Sequence, residues 1–96
     1  MINDEPVTAV VDTAADVTVL SDRVHNKMKV KLPILKEVPM RAAGENMSFK
    51  AQKTDKVNIS VNGLVTNRHI YIAPINDTML LGFDILHELN AQMMYI

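Results

Sequence analysis

Short apolar stretches separated by polar turns run along the chain, and most of them have the composition of β-strands. Residues 7–11, 17–20, 57–61 and 64–73 are rich in valine, isoleucine and threonine, which favour strands. Asn62-Gly63, between the last two stretches, is the residue pair most typical of a two-residue hairpin turn. The pattern therefore predicts a mostly β fold with a hairpin at this turn.

Three further segments extend the predicted strands. The side chains at 28–32 alternate between apolar residues and lysine, which predicts a strand with one face in solvent. Residues 34–38 lie between two prolines and therefore belong at the edge of a sheet. The run 41–46 carries no large apolar side chain and lies between two segments able to pair, so we expect a hairpin with its tip near Gly44.

One segment has the pattern of a helix. Residues 83–89 follow an apolar strand at 79–81, and Asn90 suits the C-terminal end of the helix. Residues 91–96 are expected to return to strand. Near the start of the chain, Ser21-Asp22-Arg23 offers a cap for a single helical turn, with a loop as the equal alternative.

Length and cysteine content limit how such a fold can be stabilised. A chain of 96 residues without cysteine is expected to form one small domain, residues 1–96, and neither a disulfide nor a thiolate zinc site can supplement its core. Self-association is the remaining way to bury more apolar surface. The three histidines are widely spaced in the sequence, which gives no indication of a metal site.

The charge balance and the apolar runs exclude two classes of partner. The formal net charge of −1 removes the usual electrostatic reason for nucleic-acid binding. No apolar run is long enough to span a membrane, and residues 1–5 lack the basic start and apolar centre of a signal peptide. We therefore expect a protein that is not secreted, binds neither nucleic acid nor membrane, and is made either as such or as part of a larger precursor.

One acidic residue is distinguished by its position in the pattern. Asp12 ends the β-branched run Val10-Val11 and is followed by small residues before a second apolar strand. As a local motif, an aspartate at the end of a strand is most simply a turn former. The apolar strand that stops at Gly82, much later in the chain, changes that interpretation.

Together, Asp12-Thr13-Ala14-Ala15 and Met79-Leu80-Leu81-Gly82 resemble the two signatures of the retropepsins, the aspartic proteases of retroviruses and retrotransposons. The first signature of that family is Asp-Thr/Ser-Gly-Ala, and the second is two or three aliphatic residues, glycine, one or two polar residues and leucine. The resemblance covers nearly the whole chain from about residue 7. One position departs from the family, because alanine replaces the signature glycine at residue 14.

The resemblance implies a closed β-barrel with one short C-terminal helix, and a homodimer. Peptide hydrolysis by an aspartic protease needs two carboxylates that share one proton, and one chain with one signature supplies half of that pair. Two-fold association would bring Asp12 of each subunit together. We expect the interface to rest mainly on residues 91–96 and the Asp12 loops. The substrate would be an extended peptide or polyprotein segment, and no cofactor or metal would be needed.

The same resemblance assigns roles to individual residues. The catalytic loop is Asp12, Thr13 and Ala14, in which Asp12 activates a water and the Thr13 hydroxyl bonds to the partner loop. The substrate-binding residues form two groups, those of the cleft and those of a mobile flap: Val10, Ala15, Asp16, Val17, Val19, Thr78 and Leu80, then Ala42, Ala43, Gly44 and Glu45. Ordinary core packing explains Val10 and Val19 equally well, and an ordinary surface hairpin is the alternative to the flap.

Two residues near the second signature also differ from the retroviral pattern. Retroviral members often carry arginine just after the glycine, paired with the acid that follows the catalytic loop. Phe83 holds that place here, so we expect Asp16 to find another partner or to face solvent. Asp84 starts the predicted helix, where a carboxylate interacts favourably with the helix dipole.

These expectations describe a homodimeric aspartic endopeptidase that processes a retroelement polyprotein, in the cytoplasm or within a virus-like particle. The first alternative is a catalytically silent module for dimerisation or peptide binding, which Ala14 favours and the intact Asp12-Thr13 pair disfavours. The second is a cellular retropepsin-like domain cut from a larger ubiquitin-linked protein.

Overall fold

The structure, a computed structural model, describes residues 1–12, 14–41 and 48–93. Within these ranges the chain forms eight strands and two helices. In chain order they are β1 (Val10–Val11), β2 (Val19–Ser21), α1 (Asp22–Lys27), β3 (Ile34–Arg41), β4 (Ser48–Thr54), β5 (Val57–Val61), β6 (Leu64–Arg68), β7 (Tyr71–Ala73), β8 (Met79–Leu81) and α2 (Phe83–Met93). The predicted mostly β composition with a helix near the C-terminus is confirmed.

The strands form one large sheet and one hairpin. The large sheet has six strands in the order β1-β8-β2-β7-β4-β3, and β5 pairs only with β6 in a separate two-stranded sheet. Two pairs of the large sheet, β1 with β8 and β2 with β7, are parallel. The closed barrel expected from the resemblance is wrong for the described chain, because β1 and β3 each have one neighbour and remain as open edges.

The hairpin at Asn62-Gly63 is confirmed, and the torsions of its turn explain why these residues occupy it. Both have positive φ, 51° at Asn62 and 82° at Gly63, as a type I′ turn requires. The return strand is shorter than predicted. It breaks after β6, because the Ile70 backbone bonds to Thr54. The Ile70 N–H donates to the Thr54 Oγ1 at 3.1 Å, and the Ile70 carbonyl accepts the Thr54 N–H at 2.9 Å. The chain thereby passes from the small sheet to the large one.

The β3–β4 hairpin is confirmed, with β3 as the predicted edge strand, while its tip at 42–47 lies outside the described residues. The strand predicted at 28–32 is wrong. Met28 and Leu32 are buried as the alternation indicates, but Val30 is 72% exposed. Side chains satisfy the local backbone. Glu5 accepts the Lys29 N–H at 2.9 Å, and His25 accepts the Leu32 N–H at 3.0 Å, so no ladder forms.

Both helices differ in extent from the sequence prediction. The first helical turn forms and continues through Lys27, with the Ser21 Oγ accepting the Arg23 N–H at 3.1 Å as an N-cap. The second helix continues past Asn90 to Met93, because Ala-Gln-Met after Asn90 are good helix formers. The expected strand is therefore wrong at residues 91–93, and residues 94–96 lie outside the described ranges.

An apolar cluster packs against each face of the large sheet. Consecutive residues of a strand point to opposite faces, and Val19 and Leu20 accordingly belong to different apolar clusters. The larger cluster includes Leu20, Val57, Ile59, Ile70, Ile72, Met79, Leu81 and Ile85. The smaller cluster is centred on Val19, Ala51 and Ala73, with Val17, Val38, Met40, Phe49, Tyr71 and Ile75 packed against it.

The first strand is shorter than the predicted stretch 7–11 and is largely exposed. Val10 is 47% exposed and Val11 is 61% exposed. The reason is topological, since β1 is only two residues long and lies at the edge of the sheet beside β8. An apolar strand therefore meets solvent immediately before Asp12.

Candidate active site

Asp12 lies at the carboxyl end of β1, in a tight turn. Its N–H donates to the carbonyl of Leu81 at 3.0 Å, which extends the parallel β1–β8 ladder by one bond. The Oδ1 of Asp12 accepts the N–H of Ala14 at 3.1 Å, and the carbonyl accepts the N–H of Ala15 at 3.2 Å. The carboxylate thus closes an Asx turn, so the same residue forms the turn and is the candidate catalyst.

The N-terminus of α2 holds this loop from behind. The N–H of Phe83 donates to the carbonyl of Ala15 at 2.7 Å, and the N–H of Asp84 donates to that of Asp16 at 3.3 Å. The first N–H groups of a helix have no acceptor within it, and here the loop carbonyls supply one. The Asp12 loop and the helix are therefore joined by backbone bonds that are independent of side-chain identity.

Gly82 is required by the closeness of this packing. A Cβ at this position would lie 2.3 Å from the Val17 carbonyl oxygen, a distance that only glycine avoids. The Gly82 N–H donates to the Thr18 Oγ1 at 3.0 Å. The glycine of the second signature thus serves the docking of one signature segment onto the other.

Thr18 and Asp84 complete the connection, and sequence reasoning missed their contact. The Thr18 hydroxyl donates to Asp84 Oδ1 at 2.8 Å, and the Thr18 N–H donates to Oδ2 at 3.2 Å. Asp84 Oδ1 also accepts the N–H of Ile85 at 2.7 Å. Asp84 was expected only to favour the helix dipole. In the sequence, the one indication of this contact is that Thr18, a polar residue, lies within the apolar run after Asp12 and would need a hydrogen-bond partner when buried.

Three of the predicted cleft residues lie side by side. Val10 pairs with Leu80, and Leu80 pairs with Val19, so their side chains project from the same face of the sheet. Exposure decreases from Val10 through the half-buried Leu80 to the buried Val19. Val17 packs against the smaller apolar cluster beside them. This face, which we call the cleft face, leads directly to Asp12 by strand alternation.

Other predicted site residues have different surroundings. Thr78 is exposed, and its hydroxyl donates to the carbonyl of Thr8, so it fixes the approach to β1. Ala14 and Asp16 are exposed and Ala15 is half-buried. The Asp16 carboxylate has no partner among the described residues, in agreement with the expectation that it faces solvent. Thr13, predicted to belong to the catalytic loop, and the predicted flap residues Ala42, Ala43, Gly44 and Glu45 lie outside the described ranges.

The histidines have separate structural environments. Burial, and next the positive charge of Lys31, hold the pKa of His25 below its ordinary value, and its Nε2 accepts the Leu32 N–H. The Nδ1 of His69 lies 2.8 Å from the Thr54 carbonyl oxygen, and the ring of His87 stacks on that of Phe83 with centroids 5.4 Å apart. Within the described ranges, no three metal-binding side chains form a group.

Comparisons with known proteins agree with this arrangement. A family model described as "gag-polyprotein putative aspartyl protease" matches residues 1–88, which include both Asp12 and Gly82. No curated protein sequence matches the chain. Among solved structures, EIAV protease complexed with the inhibitor HBY-793 is 27% identical, with a TM-score of 0.74 over 93% of this chain and 82% of that chain. Both signature segments lie within the matched residues, and the fold is similar to that of a retroviral protease. The chain therefore belongs to the gag-polyprotein aspartyl protease family.

Proposed function

We propose that the protein is a homodimeric aspartic endopeptidase in which the Asp12 carboxylates of two subunits share one proton. The observation that carries the proposal is the fixation of the Asp12 loop by α2. Backbone bonds to Phe83 and Asp84, together with the Thr18–Asp84 contact, hold the turn that presents the carboxylate. A catalytic group held in this way needs little reorganisation during the reaction.

The exposed apolar surface around the loop supports a dimer. Val11 and Phe83 are each more than half exposed, at 61% and 55%. Phe83 is bonded through its N–H to the loop residue Ala15. Two large apolar side chains therefore lie beside the loop that, on this proposal, meets its copy across a two-fold axis. Self-association would remove them from water and pair the two Asp12 residues at the same time.

The proposed chemistry follows from a proton shared by two carboxylates. The ionised Asp12 accepts a proton from water, which attacks the scissile carbonyl carbon, while the protonated Asp12 of the other subunit donates a hydrogen bond to the carbonyl oxygen. A proton then passes to the leaving nitrogen as the C–N bond breaks. We propose that Thr13 links the two loops, and that residues 42–45 form the flap that excludes water.

The loop also offers a backbone donor for the substrate. The N–H groups of Ala14 and Ala15 are used within the turn, and the carbonyls of Ala15 and Asp16 accept bonds from α2. Among the described residues, the N–H of Asp16 has no acceptor. We propose that this N–H donates to a carbonyl of an extended substrate. The side chains of the cleft face, Val10, Leu80 and Val19, would lie beneath the peptide.

The family name points to a gag-type polyprotein as the substrate, and the proposed setting is a retroelement, in the cytoplasm or a virus-like particle. No helix among the described residues is long and apolar enough to cross a membrane. A cellular retropepsin-like domain would share the chemistry in a different setting. A silent dimerisation or peptide-binding module remains the second candidate, and Ala14, which is exposed beside Asp12, is the observation that favours it.

The test is cleavage of a mixed peptide library by the purified chain at acid and neutral pH, beside an Asp12→Asn control. We expect the wild type to cleave and the variant to lose several orders of magnitude in rate, because the general base and the shared proton are both removed. Circular dichroism and thermal unfolding should show that the variant is folded. Equal cleavage by a folded Asp12→Asn protein would refute the assignment of Asp12.

A further inference from the structure

One line of side chains crosses all six strands of the large sheet. Residues paired in register on neighbouring strands project from the same face. The register joins six such residues into a single row, in the order Val10, Leu80, Val19, Tyr71, Lys53 and Lys36. The first three form the cleft face beside Asp12. The same face therefore continues, through one tyrosine, to two lysines at the outer edge of the sheet.

The two lysines form an unusual pair. Lys36 lies directly opposite Lys53 on the antiparallel β3–β4 ladder, and like charges in that position destabilise a strand pair. Neither side chain forms an ion pair or a hydrogen bond with any described residue; the ion pair of the described ranges joins Arg68 and Glu88. Glu37 follows Lys36 in the chain but, by strand alternation, projects from the opposite face. The pair is thus an uncompensated positive site.

The wider charge distribution reinforces this site. Residues 27–56 contain eight of the ten basic side chains of the chain and three of its eleven acidic ones. The small net charge of the whole protein conceals this separation along the sequence. Lys50 projects from the opposite face, so on the cleft face Lys36 and Lys53 themselves carry the positive charge of β3 and β4. A basic region on the cleft face attracts an anionic group that approaches along that face.

From this row, and resting on the proposed peptidase function, we infer that Lys53 and Lys36 form an outer subsite of the cleft that binds an acidic side chain of the substrate. Three strand spacings of about 4.8 Å separate Leu80 from Lys53, and an extended peptide advances about 3.3 Å per residue. The acidic residue would then lie about four to six residues from the scissile bond. In a two-fold dimer, one such subsite lies on each side of that bond.

The inference is tested with matched peptides that carry Glu or Gln at each position four to six residues from one cleaved bond, on either side. At pH of about 6 the Glu side chain is ionised, since its ordinary pKa is about 4.3. We expect kcat/KM to be about two- to fivefold higher for the best Glu peptide than for its Gln partner, as for one or two exposed ion pairs. Added salt, or a pH below the ordinary Glu pKa, should remove the difference.

Variants assign the effect to the row. The double variant Lys36→Gln/Lys53→Gln should cleave each Glu peptide and its Gln partner with equal kcat/KM. Lys50→Gln is the matched control, because Lys50 lies on the same strand, pairs with Pro39 and projects from the opposite face. It should keep the preference for Glu.

Two results would overturn the inference. The first is equal cleavage of Glu and Gln peptides by the wild type, and the second is an unchanged preference in the double variant. If that second result came with loss of binding to a single-stranded RNA oligonucleotide, the lysines would be assigned to nucleic acid. Failure of the wild type to cleave either peptide would instead overturn the proposed function, and the subsite with it.

Discussion

At residue 14 the chain departs from the family signature, yet the turn around it is intact. The N–H of Ala14 bonds to Asp12 Oδ1, and the methyl group is exposed. An alanine forced into torsions suited to glycine would cost about 1–2 kcal/mol, which corresponds to roughly tenfold in rate or more. Because the turn closes normally, we predict that Ala14→Gly changes kcat/KM by less than about tenfold.

The measurement is steady-state cleavage of one library-selected peptide by both proteins at matched dimer concentration. A gain of two orders of magnitude in Ala14→Gly would show that alanine impairs the loop. An Ala14→Gly protein that dimerises but cleaves nothing at any pH would instead leave the silent binding module as the better interpretation.

Thr18 supports the Asp12 loop through three bonds, and a second buried threonine provides its control. Thr18→Val removes the hydroxyl that donates to Asp84 and accepts from the Gly82 N–H, so buried polar groups lose their partners. We predict a loss of about 1–3 kcal/mol in the free energy of unfolding. Thr66 is also buried, but its Oγ1 has no partner among the described residues, so Thr66→Val should be neutral or stabilising.

Urea unfolding of the three proteins measures these differences directly. A Thr18→Val protein as stable as Thr66→Val would mean that the Thr18–Asp84 contact contributes nothing to the fold, and the account of how the loop is held would then be wrong.

At the scale of elements, α1 and the loop that follows it depend on a neutral histidine. The Nε2 of His25 accepts the Leu32 N–H, which a protonated ring cannot do. Since burial and Lys31 lower the pKa of His25 in the folded state, the unfolded chain binds the proton more readily. The stabilisation that neutral His25 contributes is therefore complete above the pKa of histidine in the unfolded chain, about 6.5, and is lost as pH falls below it.

We predict that His25→Gln flattens the dependence of unfolding free energy on pH between about 8 and 5. Urea unfolding at several pH values checks this, with His87→Gln as the control, because the His87 ring is exposed and stacks on Phe83. If the wild type and His25→Gln lose stability equally on acidification, His25 is not the group responsible.

The elements that could be predicted from the sequence are those whose bonds are local. The Asn62-Gly63 turn fixes its hairpin through two torsions, and Gly82 ends β8 where the helix begins. The predictions that were wrong depend on contacts with residues far away in the sequence. Alternation at 28–32 indicated the burial of Met28 and Leu32, but Val30 on the same predicted face is exposed, and no pattern showed that Glu5 and His25 would accept the local N–H groups. Strand 64–73 divides because Thr54, on β4, bonds to Ile70.

The same distinction explains what could be predicted of the site. Asp12 and Gly82 were found because each belongs to a short motif with a recognisable order. The Thr18–Asp84 bond spans 66 residues, and no local pattern identifies the partner of a buried hydroxyl at that separation. The row that joins Val10 to Lys36 could not be predicted either, because it depends on the register of five strand pairs.

At the scale of the whole molecule, the open sheet is the main departure from expectation and bears on the dimer. A single described chain leaves β1 as an apolar edge, and helix α2 occupies residues 91–93, where an interface strand was expected. The interface is therefore expected to rest on the Asp12 loops, β1 and the exposed Phe83, a smaller surface than a strand exchange would provide. We predict a weak dimer whose specific activity rises with protein concentration.

Val11 offers a direct test of this interface. It is 61% exposed at the edge beside Asp12, whereas Val30 is 72% exposed in the loop after α1. Burial of one valine contributes about 1.5–3 kcal/mol. Because a two-fold dimer contains Val11 twice, each substitution removes this contribution from both subunits. Val11→Lys should therefore raise the dimer dissociation constant by at least about a hundredfold. Val30→Lys should leave it unchanged. Sedimentation equilibrium and specific activity across a concentration series measure both, and a Val11→Lys protein that dimerises and cleaves like the wild type would place the interface elsewhere.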